Sequence, residues 1–214
     1  MRLASPPLLL VTDRLQARLP LLEVVRQALD AGCRWVSLRE KDLPLSHQAT
    51  LAGALTPLAR GAGARLTLHG DAALAAAVRL DGVHLAAGSD AQAARALIGP
   101  EKSVGISIHT LAEAAAIDPA SVDYAIAGPV FATASKPGYG PALGPGGLAA
   151  LVRAARVPLL AIGGIEAGNI ADVMTTGCAG IAVMGGVMRA ENPAQAMGAL
   201  LAALASAQDY PRAR

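Results

Sequence analysis

Short apolar runs alternate along this chain with longer amphipathic stretches rich in Ala, Leu and Arg. The apolar runs at 8–11, 35–38, 65–68, 82–85, 103–108, 122–127, 157–162 and 180–184 predict strands. The stretches at 21–31, 45–60, 72–79, 91–98, 111–117, 167–176 and 193–207 predict helices, the first closing at Gly32 and the second at Gly61-Ala62-Gly63. A further helix is expected only after Gly147. Strand and helix therefore alternate eight times in 214 residues, and alternation of this kind implies a parallel sheet. Eight units in a chain of this length fit a (β/α)8 TIM barrel of class α/β, a single domain over 1–208 with a frayed tail at 209–214. The runner-up is a doubly wound open sheet, which usually has fewer strands and a glycine-rich first turn that Val11-Thr12-Asp13 lacks.

Composition narrows the partners. Hydrophobic residues make up 53% of the chain and charged residues 16%, ample for a core. No apolar run approaches the roughly 18–20 residues that span a bilayer, and the run ending at Val11 is too short for a signal-peptide core. The expectation is a cytoplasmic protein without membrane contact. A net charge of +2 and an aromatic content of 2% give neither the electrostatic footprint nor the stacking platform of a nucleic-acid binder. Cys33 and Cys178 lie far apart without metal-ligand spacing, each beside a small residue at a helix–strand junction, and read as core packing. The oligomeric state stays open, with a homo-oligomer compatible with the sequence.

In a barrel of this kind the active site lies at the C-terminal ends of the strands, so the candidate chemistry is a short series of positions. After the second strand, Ser37, Arg39 and Lys41 share one strand face, and two cations together call for an anion or carboxylate between them. His69, His84 and His109 stand at the ends of strands three, four and five, with Ser107 on the same face as His109. Their ordinary pKa near 6.5 suits proton transfer. Asp71 and Asp90 precede helices and read as N-caps, and Thr110 with Glu113 reads as a capping box. The connection at 128–144 is too long for an ordinary strand-to-helix loop. It carries Val130 and Phe131 as an apolar anchor, then Thr133, Ser135 and Lys136, two hydroxyls and a cation suited to a phosphate. Gly163-Gly164 after strand seven and Gly185-Gly186 after strand eight occupy the two loops that commonly cradle phosphate in barrels, where glycine lets the backbone come close.

The segments GPVFATASKPG and PALGPGGL (128–138 and 141–148) resemble the loop after the sixth strand in the thiamine-phosphate synthase and thiazole tautomerase superfamily. The FATASKPG wording is most similar to its TenI-type tautomerase branch. The resemblance extends over most of the chain, through Arg39-Glu40-Lys41, Asp81-Gly82-Val83-His84-Leu85 and Ser107-Ile108-His109-Thr110. It implies that Arg39 and Lys41 would bind the pyrophosphate of a pyrimidine substrate in a synthase. The synthases of the family usually carry Gln at the position of Ser37. Their two magnesium-binding Asp positions correspond to Gly70 and Ser89 in this chain, and the acid/base His of the characterised tautomerases corresponds to Pro129.

Without the two aspartates, the resemblance implies a TenI-like tautomerase as the leading expectation. It would aromatise a thiazole carboxylate phosphate by proton transfer with no cofactor or metal, using His69, His84 or His109 on a small phosphorylated thiazole ligand. The alternative is thiamine-phosphate synthase, which joins hydroxymethylpyrimidine pyrophosphate to thiazole phosphate and would bring magnesium. A third reading is a non-catalytic barrel that binds thiazole or thiamine phosphate.

Overall fold

The computed structural model describes residues 3–133 and 142–209. In chain order the elements are β1 (Leu8–Val11), α1 (Leu21–Asp30), β2 (Trp35–Leu38), α2 (Leu45–Gly61), β3 (Arg65–His69), α3 (Ala72–Ala77), β4 (Gly82–Leu85) and α4 (Ala91–Ile98). There follow β5 (Ser103–Ile108), α5 (Leu111–Ala115), β6 (Tyr124–Ala127), α6 (Gly144–Ala154), β7 (Leu159–Ile162), α7 (Ile170–Thr175), β8 (Gly180–Val183), α8 (Gly185–Met188) and α9 (Pro193–Asp209). The eight strands are parallel and pair in sequence order, and β1 closes the ring against β8 through Leu8 opposite Ile181 and Leu10 opposite Val183. The barrel expected from the alternation is the fold. No helix among the described residues is long and apolar enough to cross a membrane.

Two differences from the sequence reading arise at glycines. Helix α6 begins at Gly144 rather than after Gly147, because Pro145 has the fixed φ that the first helical turn needs. Helix α8, one turn directly after β8, was not expected at all. Its Gly-Gly opening has low helix propensity, and the turn forms because Val187 and Met188 are fully buried there. The capping expectations hold: Asp71 accepts from the Leu74 N–H at 2.6 Å, Asp90 from the Ala93 N–H at 2.9 Å, and Thr110 with Glu113 completes a capping box.

Each strand buries two faces, and the two faces build different cores. Residues such as Leu8, Leu10, Val36, Leu38, Leu66, Leu68 and Val104 point outward into the layer between sheet and helices. Leu9, Val11, Trp35, Tyr124, Ile126, Leu160 and Ala182 point inward and form a separate cluster in the barrel lumen. Burying a side chain of this kind contributes roughly 1.5–3 kcal/mol, so the double coverage explains why apolar residues dominate the runs. Cys33 and Cys178 are buried in the outer layer. Burial raises the Cys33 thiol to about 11, which keeps it an inert packing group.

The lumen also holds a polar chain, and one glycine makes room for it. Gly105 lies between His84 on β4 and Tyr124 on β6 in the strand register. A Cβ at Gly105 would sit 2.1 Å from Cζ of Tyr124. The missing side chain lets the Tyr124 ring lie across β5 and reach its neighbours. It packs edge-on against Trp35, with centroids 4.7 Å apart, and its hydroxyl is 3.3 Å from Nδ1 of His84. His84 Nε2 is 2.9 Å from Oγ of Ser107, and the His69 ring lies 4.8 Å from the His84 ring. Burial, and then the positive charge of Lys41, lower the His84 pKa to about 3. Burial, and then the charge of Asp123, raise that of Tyr124. At neutral pH both groups are uncharged. His84 is thus far from the pKa expected of a proton carrier.

Two outcomes follow for stability. Gly105→Ala should overpack the lumen and lower unfolding free energy by about 2–3 kcal/mol. In a Tyr124→Leu background the same change should cost much less, and equal losses in both backgrounds, read from urea unfolding, would contradict the packing described. The second outcome concerns acid. The unfolded chain protonates His84 near its ordinary value of 6.5, whereas the folded protein does so only at about pH 3. In between, the unfolded state binds more protons. The stability present above pH 6.5 is therefore lost as pH falls, by at most about 1.4 kcal/mol per unit. The shifted carboxylates, Glu23 among them with a pKa of about 2, titrate below this window. Unfolding between pH 6.5 and 5 should thus be less pH-dependent in His84→Gln than in the parent protein, and identical slopes would refute the assignment.

Candidate active site

A cavity of about 240 Å³ opens at the C-terminal ends of the strands. Its floor is the upper lumen, formed by Val11, His84, Ser107, Ile126 and Ala182. Its walls come from the loops after β2, β3, β5, β6, β7 and β8 and include Arg39, His69, His109, Pro129, Thr133, Gly163, Gly164, Gly185, Gly186 and Arg189. The structure thus brings together, on one cavity, ten of the residues singled out from the sequence.

The β2 end is held by a buried carboxylate. Glu40 is 2% exposed and accepts from Thr12 Oγ1 at 2.7 Å, from the Arg14 N–H at 3.1 Å and from Arg14 Nη1 at 3.3 Å. Thr12 Oγ1 in turn accepts the Arg39 N–H at 2.8 Å. A buried carboxylate is tolerable only when donors surround it, and here those donors tie the first two strand ends together. The Arg39 guanidinium is left facing the cavity, with Asp13 as a distant ionic partner at 3.9 Å. Lys41, in the turn beyond β2, lies outside the cavity lining and is exposed. Partial desolvation of its ammonium, and then repulsion from Arg39, still lower its pKa.

The β5 and β6 ends form the opposite wall. His109 Nδ1 lies 2.6 Å from the carbonyl oxygen of Gly128. A carbonyl only accepts, so Nδ1 carries the proton of this contact. The first part of the long β6–α6 loop is strapped to the β7 end, with Val130 N–H donating to Ile162 at 2.8 Å and Phe131 N–H to Gly163 at 3.0 Å. The contact is close enough to require the glycines. A Cβ on Gly163, which has φ +99°, would lie 2.6 Å from Pro129, and one on Gly164, at φ +63°, would lie 2.6 Å from the Ala132 oxygen. Thr133 reaches the cavity; Ser135 and Lys136 lie outside the described residues.

At the β8 end, Gly185 and Gly186 open α8, and the first N–H groups of a helix have no acceptor within it. Open space surrounds the position of a Cβ on Gly186. Arg189, one turn on, lines the cavity and donates to Gln16, which also donates to Asp13 at 2.6 Å. Sequence reasoning missed Arg189 and Glu40. Arg189 could have been found only by expecting α8, whose four-residue turn sets Arg189 beside Gly185.

The described residues contain no group of three or more His, Cys, Asp or Glu side chains able to hold a metal ion. Asp71 and Asp90 each spend a carboxylate oxygen on the helix they cap.

Residues 8–187 match the family model described as thiamine monophosphate synthase. The chain is 39% identical over 203 residues to the thiamine-phosphate synthase of Roseiflexus sp. (strain RS-1), covering 93% of this chain and 85% of that protein. It is 38% identical over 187 residues to the thiamine-phosphate synthase of Moorella thermoacetica, covering 87% and 89%. The solved structure of thiamine phosphate pyrophosphorylase from Pyrococcus furiosus superposes with a TM-score of 0.83 at 32% identity, covering 94% of this chain and 96% of that one. These relatives overturn the tautomerase expectation and the TenI-type placement drawn from the FATASKPG wording. The cavity agrees, since Pro129 lines it where the tautomerase proton carrier would stand, and proline has no proton to transfer. The chain belongs to the thiamine monophosphate synthase family of enzymes.

Proposed function

We propose that this protein is a thiamine-phosphate synthase, joining hydroxymethylpyrimidine pyrophosphate to thiazole phosphate with release of pyrophosphate. The observation that carries this reading is the presence of two separate sets of anion-binding groups on one cavity. Arg39 projects from the β2 end, while Gly163, Gly164, Gly185, Gly186 and Arg189 gather at the β7 and β8 ends. Two phosphorylated reactants held together need two such sets. An isomerase acting on one phosphate needs only one.

In the reaction the carbon–oxygen bond to pyrophosphate breaks, and a carbon–nitrogen bond forms to the thiazole ring nitrogen. Charge builds on the departing pyrophosphate, so the groups that matter are preorganised donors aimed at it. Arg39 supplies a planar, permanently charged donor fork on the cavity wall, with its backbone fixed through Thr12 and Glu40. Lys41, exposed at the same strand end, adds charge from outside. The glycine turns offer backbone N–H groups to the thiazole phosphate, where no side chain stands in the way. No proton transfer is required at carbon, which agrees with a neutral His84 and with Pro129. His109, with Nδ1 committed to Gly128, lines the same cavity.

Purified protein supplied with both substrates and magnesium in the buffer should form thiamine phosphate and pyrophosphate. Binding of both substrates without product would defeat the proposal in favour of a non-catalytic barrel. Arg39→Ala should raise KM for the pyrophosphate substrate by about 10–100-fold, the size expected for lost charge-assisted hydrogen bonds, and leave that for thiazole phosphate near its starting value. Gly186→Leu should do the opposite. Its side chain enters open space, so Tm should hold while KM for thiazole phosphate rises at least about tenfold, or 1.4 kcal/mol. Unchanged affinity would remove Gly186 from the phosphate site.

A further inference from the structure

We propose that Gln16 is a positioning residue at the cavity mouth. Its side-chain amide holds the Asp13 carboxylate off the Arg39 guanidinium and anchors Arg189 beside α8, so that both arginines keep their donors for the anions of the two reactants. Neither Asp13 nor Gln16 lines the cavity, so both act through the arginines. The inference rests on the reading of this cavity as a site for two phosphorylated molecules, and names the element that links its two sets of anion-binding groups.

The connection from β1 to α1 spans the two halves of the mouth. At one end the Thr12 N–H donates to the Ser37 oxygen at 3.0 Å, and Arg14 reaches Glu40 and Asp42. These contacts fasten the connection to the β2 end. At the other end the Arg18 N–H donates to the Met188 oxygen at 3.1 Å, which fastens it to α8. Asp13 and Gln16 lie between these fixed points. Gln16 Nε2 donates to Asp13 Oδ2 at 2.6 Å, and Gln16 Oε1 accepts from Arg189 Nη1. Chemistry dictates that order. A carboxylate only accepts and a guanidinium only donates, so a group joining the two must donate at one end and accept at the other. An amide does both and adds no charge of its own.

The Asp13 oxygen bound to Gln16 is the same one that faces Arg39, with Oδ2 at 3.9 Å from Nη1. That separation is too long for a hydrogen bond. A guanidinium and a carboxylate left to themselves close to about 2.7–2.9 Å and share paired donors. Asp13 is kept from closing because Gln16 holds Oδ2 and the Leu15 N–H donates to Oδ1 at 3.2 Å. In full contact the carboxylate would occupy the donors that an anionic reactant needs. Held at 3.9 Å, it steadies the guanidinium and leaves its cavity-facing donors to the reactant. Arg189 poses the opposite problem. It is exposed, and a long exposed side chain has rotamer freedom to lose before it can bind. A hydrogen bond from Nη1 to Gln16 settles its direction beforehand, and a guanidinium has several further N–H groups to give.

The test is calorimetric titration of the purified protein with inorganic pyrophosphate and, separately, with thiazole phosphate. The proteins compared are the parent, Gln16→Met, Asp13→Asn and the double variant, with Arg39→Ala as the reference for pyrophosphate bound without Arg39. Methionine keeps the length of glutamine but lacks its donor. Gln16→Met should release Asp13 onto Arg39 and weaken pyrophosphate about tenfold, the scale of a charge-assisted pair. It should also weaken thiazole phosphate about threefold, the scale of an exposed charged contact. Asp13→Asn should tighten pyrophosphate, because the competing charge is gone. The double variant decides. With no carboxylate to close on Arg39 it should recover the pyrophosphate affinity of Asp13→Asn, while thiazole phosphate stays as weak as in Gln16→Met. A merely distorted loop would weaken pyrophosphate in the double variant as much as in Gln16→Met, and that result overturns the proposal. Unchanged affinity of either probe in Gln16→Met, or weaker pyrophosphate binding in Asp13→Asn, would overturn it as well. These titrations need no turnover. Binding of both probes with the recovery but without product would defeat the synthase reading alone, and product formation without the recovery would defeat this assignment alone.

Discussion

The absence of a side chain at Gly105 is the constraint on which the interior depends. A barrel of eight short strands must fill its lumen or collapse, and each strand has only two or three inward positions to do so. Here β4 and β5 contribute small or polar groups, namely Gly82, His84, Ser103, Gly105 and Ser107. The volume is made up from β6 and β2 by Tyr124 and Trp35. Tyr124 can cover that ground only by lying over β5, which Gly105 permits. The lumen thereby gains a packed aromatic pair below and a hydrogen-bonded line of polar groups above, ending at the cavity floor. The cavity inherits its shape and its polarity from how the core beneath it is packed.

The same double burial decides what could be read from the sequence. Strands β1, β2 and β4 through β8 announce themselves as short, mostly apolar runs because both faces are covered, and the eightfold alternation then leaves little choice of fold. Local signals were equally legible. Asp71, Asp90 and Thr110 act within three residues of their own positions, so the caps they form are written in the adjacent sequence. What was not legible is non-local. Nothing near Tyr124 says that its hydroxyl meets a histidine forty residues earlier, or that Glu40 is buried against the β1 loop rather than turned to solvent. Alternation along β2 placed Arg39 and Lys41 on one strand face. It could not show that the chain leaves the strand after Leu38, which puts Arg39 on the cavity wall and Lys41 outside it. Arg189 was hidden behind a Gly-Gly pair whose local preference argues against the helical turn that forms there.

The tautomerase expectation failed for a related reason. It weighed the wording of one loop, and the absence of two aspartates, above the similarity of the whole chain. A loop is free to vary in ways that the packed strand ends are not. Arg39, Gly163 after β7, and Pro129 stand where the backbone is tied down by inter-strand or inter-loop hydrogen bonds. These are the positions that a change of chemistry would have to rebuild.

The missing carboxylates then acquire a different meaning. Asp71 and Asp90 are each one residue beyond the positions where the resemblance expected a metal ligand, and each is committed to a helix N-terminus. A carboxylate that caps a helix is held by a backbone donor and by the helix dipole together, and redirecting it toward a metal would uncap the helix. The positive charge fixed on the described cavity wall is instead carried by Arg39 and Arg189. Guanidinium groups bind pyrophosphate oxygens through paired donors and keep their charge at any physiological pH. Two guanidinium groups and the glycine turns are thus what the described cavity wall offers to an anion.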